Sequence, residues 1–194
     1  MQKLTTDELN RLSTDEFQQK QKHHFALVLD NVRSLSNVGS VFRTADSFLA
    51  EKIYLCGITG TPPNREMEKT ALGATQTVDW EYFTHTYEAL QGLRSQGYVI
   101  VCVEQVKNSI FLNDFVFENI VENQQENSEK NQQEKPQKYA FVFGNEVFGV
   151  AEDIISLCDF CIEIPQFGSK HSLNISVTVG IICWDFVHKT TLNA

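Results

Sequence analysis

Short apolar runs alternate with stretches of helical periodicity along most of this chain. Phe25-Ala26-Leu27-Val28-Leu29 is the first run, unbroken by any polar residue. Such a run is typical of a strand covered on both faces. Similar runs follow at residues 53–56, 98–103, 139–143 and 160–164. Between them, Val38, Val41, Phe42, Ala45 and Leu49 recur at helical spacing, as do Tyr87, Leu90 and Leu93. A third stripe is formed by Leu173, Val177, Gly180, Ile181, Trp184 and His188. Each stripe predicts an amphipathic helix. Strands alternating with helices predict an α/β fold, a mainly parallel sheet with helices on both faces.

Two segments fall outside this rhythm. Thr5-x-x-Glu8 and Ser13-x-x-Glu16 have capping-box spacing and predict two short polar helices. Residues 1–24 therefore read as an N-terminal helical arm, packed or frayed, ahead of a domain covering 25–194. Residues 122–138 have no apolar member and predict a surface insert before the strand at 139.

Sixteen basic against 25 acidic residues give a net charge of −9. That excludes a protein that holds nucleic acid by bulk electrostatics and leaves room for a local basic site made of a few side chains. No apolar run is long enough to span a bilayer. The polar, acid-bearing start Met1-Gln2-Lys3-Leu4-Thr5-Thr6-Asp7-Glu8 is unlike a secretory signal, so the cytosol is expected. Five cysteines, an odd number, read as free thiols. Cys158-Asp159-Phe160-Cys161 lacks the second ligand pair that zinc needs, and no metal is expected.

Three segments directly follow predicted strands and lead toward helices. They are Asp30-Asn31-Val32-Arg33-Ser34-Leu35-Ser36-Asn37-Val38-Gly39-Ser40-Val41-Phe42-Arg43, Gly144-Asn145-Glu146-Val147-Phe148-Gly149, and Ile164-Pro165-Gln166-Phe167-Gly168-Ser169-Lys170-His171-Ser172-Leu173-Asn174. Ligands of open parallel sheets bind at these strand ends. Gly39 and Arg43 lie four apart on the first predicted helix, away from the stripe of Val38, Val41, Phe42 and Ala45. Arg43 is expected to point outward over a glycine that leaves room for a substrate backbone. Asn37 is expected at the helix start. There it is either beside free N–H groups that suit a phosphate, or a plain cap, a role its neighbour Ser36 could also fill. Ser172 and Asn174 frame the start of the last helix, where capping is again an alternative.

In this order, an N-x-G-x-x-x-R, a G-x-E-x-x-G and an S-L-N before an apolar helix resemble motifs 1, 2 and 3 of the SpoU/TrmH branch of the SPOUT RNA methyltransferases. Lys69-Thr70-Ala71-Leu72-Gly73-Ala74 is similar to that family as well, and the likeness runs from about residue 25 to the end. The resemblance implies a C-terminal trefoil knot, a homodimer, S-adenosylmethionine as cofactor and methylation of an RNA ribose 2′-hydroxyl in tRNA or rRNA. No DNA or membrane partner is expected. It implies Arg43 and Asn37 as catalytic. It also implies a cofactor site built from Val103, Glu104, Gly144, Glu146, Ile164, Ser172, Leu173 and Asn174. The family more often has Ser where this chain has Asn145. Arg33, Arg43, Arg65, Lys69 and Lys170 are the candidates for RNA contact; Lys170 and its neighbour His171 equally fit a solvated loop.

Two other functions compete. A nicotinamide-dependent oxidoreductase needs G-x-G-x-x-G after the first strand, where Ser36-Asn37-Val38-Gly39-Ser40 has one glycine. A catalytically inactive RNA-binding or assembly module on the same scaffold would have no need of Arg43.

Overall fold

The computed structural model describes residues 3–5, 7–9, 11–117 and 137–192. Most of the expected insert, residues 122–136, lies outside them. Of its last two residues, Gln137 donates to the Gly97 carbonyl at 2.9 Å and Lys138 opens a strand.

In the arm, Asp7–Leu9 form a single 3₁₀ turn and Thr14–Gln19 form helix α1. Both predicted capping boxes are present. Glu16 N–H donates to Ser13 Oγ at 3.3 Å, and Ser13 N–H donates to Glu16 Oε2 at 2.8 Å. Thr5 and Glu8 repeat the exchange. The α1 helix is packed rather than frayed, because Phe17 is buried in the main core. Burying such a ring stabilises by about 1.5–3 kcal/mol.

Among the described residues seven strands follow: β1 (His23–Asp30), β2 (Ala50–Cys56), β3 (Trp80–Phe83), β4 (Tyr98–Val103), β5 (Ile110–Phe111), β6 (Lys138–Phe143) and β7 (Phe160–Glu163). They form one sheet in the order β3-β2-β1-β6-β4-β7-β5, and every pairing is parallel. The helices are α2 (Leu35–Ser47), α3 (Arg65–Ala71), α4 (Thr86–Ser95), α5 (Glu152–Ile155) and α6 (Ile175–Val187). Alternation along each strand divides the core in two. Phe25, Leu27 and Leu29 of β1 face α2, α3 and α6, while Ala26 and Val28 face α4 and α5. This is the expected α/β layering.

Strands β3 and β5 were not expected. Both are sheet edges, short and partly exposed, so neither carries a continuous apolar run. Two helix faces also differ from their predicted stripes. In α4, Thr86, Ala89, Leu90 and Leu93 are buried, and Tyr87 is exposed. In α6 the buried set is Ile175, Val179, Ile182, Cys183, Phe186 and Val187. The predicted stripe of Leu173, Val177, Gly180, Ile181, Trp184 and His188 lies toward the other side, with Val177 50% and Trp184 53% exposed. Periodicity could not choose between the sides, because Ile, Val, Cys, Trp and Phe occur all around this helix.

The five cysteines are free thiols. Cys102 and Cys161 are partners across β4 and β7, and Cys158 donates to the Ile154 carbonyl at 3.3 Å. Contact with Cys158, with burial added, pushes the Cys102 thiol well above its ordinary range. These are packing groups, not nucleophiles.

Candidate active site

Strand order brings the three motif segments together. β1 and β6 are neighbours, β4 and β7 lie next to them, and their carboxyl ends open on the same edge of the sheet.

The first segment leaves β1 through Asn31, whose positive φ of 57° turns the chain sharply. Asn tolerates this conformation because its side chain bonds locally. Asn31 Oδ1 accepts from Ile58 N–H at 3.1 Å, and Nδ2 donates to Asp30 at 2.9 Å. Helix α2 then begins with Ser34 as its cap, accepting from Asn37 N–H at 3.2 Å. Asn37 is therefore inside the first turn, three residues past the cap, and neither it nor Ser36 caps the helix.

The amides at the entry to α2 are held by a carboxylate. Glu146, from the second segment, accepts from Arg33 N–H at 3.0 Å, from Ser34 N–H at 2.9 Å and from Asn37 Nδ2 at 3.0 Å. Its carboxylate thus occupies the helix-start position that sequence reasoning gave to a ligand anion. Asn37 Oδ1 in turn accepts from Asn174 Nδ2 at 3.2 Å. Asn174 caps α6 by accepting from Ser176 N–H at 2.9 Å. One chain of side-chain bonds therefore joins all three motifs.

Burial alone would raise the Glu146 carboxyl. The amides of Arg33 and Ser34, its own N–H and the Asn37 side chain outweigh that effect and hold it below the ordinary 4.5. A depressed carboxyl contributes stability that is complete above its unfolded value and is lost as pH falls through the folded one. Glu146→Gln removes this contribution. Wild type should melt above the variant at pH 7, and the gap should close as thermal scans are taken below pH 4.5. A gap independent of pH would remove the carboxylate from this role.

Asn145 closes the second segment. Its Oδ1 accepts from Val147 N–H at 2.9 Å and Phe148 N–H at 3.2 Å, and its Nδ2 donates to the Asn31 carbonyl at 2.8 Å. A single serine hydroxyl has fewer groups to share among these partners. The Asn145 and Gly149 backbones exchange two bonds of 2.9 Å, closing a tight turn. Glu104, at the end of β4, holds the far side of that turn. It accepts from Val150 N–H at 3.1 Å and from Gln105 N–H at 2.9 Å. Gln105 donates to the His171 carbonyl at 2.8 Å, tying the third segment to β4. Asn31, Asn145 and Gln105 were not singled out from sequence as site residues. Asparagine signals a turn and glutamine signals nothing in particular, but the Gln105–His171 bond spans 66 residues and the Asn145–Asn31 bond 114.

Between these segments lies a cleft of about 640 Å³. Val103, Glu104, Gly144, Glu146, Ile164, Ser172, Leu173 and Asn174, the complete expected cofactor set, line it. Three of them also have structural duties, since the carboxylates of Glu104 and Glu146 are engaged with backbone amides of the surrounding loops and Asn174 caps α6.

The residues expected to meet RNA are exposed but dispersed. Arg33 lies beside the Glu146 contact, Arg65 and Lys69 are on α3, and Lys170 is in the third segment. Lys69 is paired with Glu66 at 2.7 Å. Arg43 is exposed on α2, as expected, and forms no ion pair among the described residues. It does not line the cleft of its own chain. The space at Gly39 belongs to the fold and not to a substrate. A Cβ there would lie 2.2 Å from the Met67 carbonyl oxygen and from Thr70 Oγ1, so this glycine lets α2 and α3 pack closely.

Residues 24–184 match the profile of the SpoU rRNA Methylase family. The chain is 27% identical to a 23S rRNA (guanosine-2′-O-)-methyltransferase, RlmB, of Neisseria meningitidis, over 80% of this chain and 55% of that one. It is 24% identical to a tRNA (guanosine(18)-2′-O)-methyltransferase of Thermus thermophilus, over 92% of this chain and 81% of that one. In fold it is similar to an AdoMet-bound rRNA methyltransferase of Sinorhizobium meliloti, with a TM-score of 0.73 at 22% identity, covering 88% of this chain and 58% of that one. The chain thus spans little more than half of the Neisseria and Sinorhizobium proteins.

Proposed function

We propose a function from one premise: this chain belongs to the SpoU rRNA Methylase family. It transfers a methyl group from S-adenosylmethionine to a ribose 2′-hydroxyl of a structured RNA, tRNA or rRNA. The observation that carries this reading is the convergence of all eight expected cofactor residues on one cleft at the carboxyl edge of the sheet.

The cleft suits the cofactor. Its volume is within the range of small-molecule sites, and it combines apolar walls with a few placed polar groups. Val103, Ile164 and Leu173 would enclose the adenine, and the backbone near Gly144 and Ser172 would bond its polar edges. When bound, S-adenosylmethionine supplies a methyl group already activated on sulfonium. The chain's own task is to align the 2′-oxygen and to stabilise charge. A guanidinium stays protonated, so Arg43 is not a literal base. It clamps the neighbouring phosphate and stabilises negative charge developing on the oxygen. Asn37 holds the helix that carries Arg43 against the two cleft loops.

The protein works as a homodimer. The support is the second apolar side of α6, where Val177 and Trp184 are half exposed, and the position of Arg43 outside its own cleft. A partner subunit would bring the arginine to the site. The arm of 1–24 and the domain of 25–194, the knot formed by the C-terminal segments and a cytosolic location supported by the free thiols complete the reading.

Calorimetry with S-adenosylmethionine and with NAD, and transfer of labelled methyl to total RNA, test the activity. Binding of NAD alone would favour the oxidoreductase. Cofactor binding without transfer would favour the inactive module. Sedimentation at micromolar concentration is expected to show a species of twice 22.1 kDa, and Trp184→Glu should shift it toward the monomer. A wild-type monomer would end the dimer proposal.

A further inference from the structure

Two aromatic rings stand in solvent on the loops around the cleft. Phe148, in the turn after β6, is 83% exposed, and Phe167, in the segment after β7, is 98% exposed. Among the described residues neither ring packs against another aromatic ring or joins the core. The backbone that presents Phe148 is nevertheless fixed, since its N–H is held by Asn145 Oδ1. Both rings are therefore displayed at the cleft without any part in holding the fold together.

The charge of the chain gives these rings a use. A net charge of −9 and a handful of dispersed cations, one of them already paired with Glu66, allow few phosphate contacts. RNA held by such a surface needs affinity from another source. Stacking of bases on aromatic rings supplies it, tolerates any sequence and requires an unpaired base that can turn its face to the ring. A protein partner fits less well. Phe167 is flanked by Gln166, Gly168, Ser169 and Lys170, which bring no apolar side chain beside it.

We propose that Phe148 and Phe167 are stacking platforms for unpaired nucleobases next to the acceptor ribose, so that the substrate is taken as a single-stranded loop and not as a duplex. This rests on the reading of the cleft as a methyl-transfer site.

Phe167 lies outside the cleft lining and its ring is fully exposed, which makes its variants the test. Phe167→Ser should keep the fold and S-adenosylmethionine affinity of wild type while binding deproteinised total tRNA or rRNA about tenfold more weakly. Phe167→Trp should restore binding, and its emission should be quenched by these RNAs but not by a fully paired RNA duplex. Wild-type affinity should fall only gently with salt, given a slope of about −0.7 per phosphate on single strands. Equal RNA affinity of Phe167→Ser and wild type would overturn the proposal with the methyl-transfer reading intact. So would equal quenching by duplex, or a changed sedimentation of Phe167→Ser that places the ring between subunits. A wild type that binds cofactor and no RNA overturns both.

Discussion

Arg43→Ala is expected to lower single-turnover methylation of total RNA by about 10²–10³, the usual cost of removing one donor to a developing oxyanion. S-adenosylmethionine affinity should change little. The separation follows from placement: Arg43 is exposed on α2, whereas the cleft is lined from β4, β6, β7 and the loops that follow them. Arg43→Lys should also be poor, because an ammonium cannot reproduce a planar, two-pronged contact with phosphate. If the arginine reaches the cleft of the partner subunit, mixing Arg43→Ala with Asn174→Ala should recover part of the activity. Each mixed dimer then holds one cleft with an intact arginine and an intact third motif. Near wild-type turnover by Arg43→Ala would remove the arginine from the reaction.

The second large effect concerns Gly144. Gly144 follows β6 and lines the cleft, and the packing of its own turn decides what a side chain there does. A Cβ at this position would lie 2.1 Å from the Gly149 carbonyl carbon and 2.2 Å from Val150 N. Both are backbone atoms of a turn closed by its own paired bonds, so they cannot swing aside. Gly144→Ala should therefore open the 145–149 turn, destabilise by about 1–3 kcal/mol and weaken S-adenosylmethionine binding more than tenfold. Gly92→Ala is the control. Its Cβ meets nothing within 4 Å on α4, so it should stabilise, by about 0.5–1 kcal/mol. Thermal unfolding and calorimetry of the two alanine variants provide the check. A Gly144→Ala protein as stable as wild type would contradict the packing described here.

Much of this was legible in the residues themselves. Five of the seven strands announce themselves as apolar runs, because strands in the middle of a parallel sheet are buried on both faces. β3 and β5 do not, because an edge strand needs less cover. Helix α6 shows the opposite limit, with so many apolar residues that no single face stands out. In the site, the eight residues that the family resemblance implied do line one cleft, yet several individual roles were misread. Gly39 looked like room for a substrate until α3 was seen against it. Asn37 looked like a helix start until Ser34 was seen to cap. The helix start looked open to an anion until Glu146, more than 100 residues away, was found on the amides of Arg33 and Ser34. Local spacing reports the type of a group and its helix or strand. It does not report which distant group arrives to satisfy it.

The bond from Glu146 through Asn37 to Asn174 has a bearing on the order of events. Both ends of that chain line the cleft, and its middle sits in the first turn of the helix that carries Arg43. A ligand that prefers one arrangement of the two loops thereby biases the helix, and a ligand held by the helix biases the loops. Equilibrium makes such a preference mutual: whatever factor the methyl donor adds to RNA affinity, RNA must return to the donor. Each ligand then changes the affinity for the other by the same factor and in the same direction. Asn37→Ala, which cuts the connection in its middle, should bring the two affinities back toward independence.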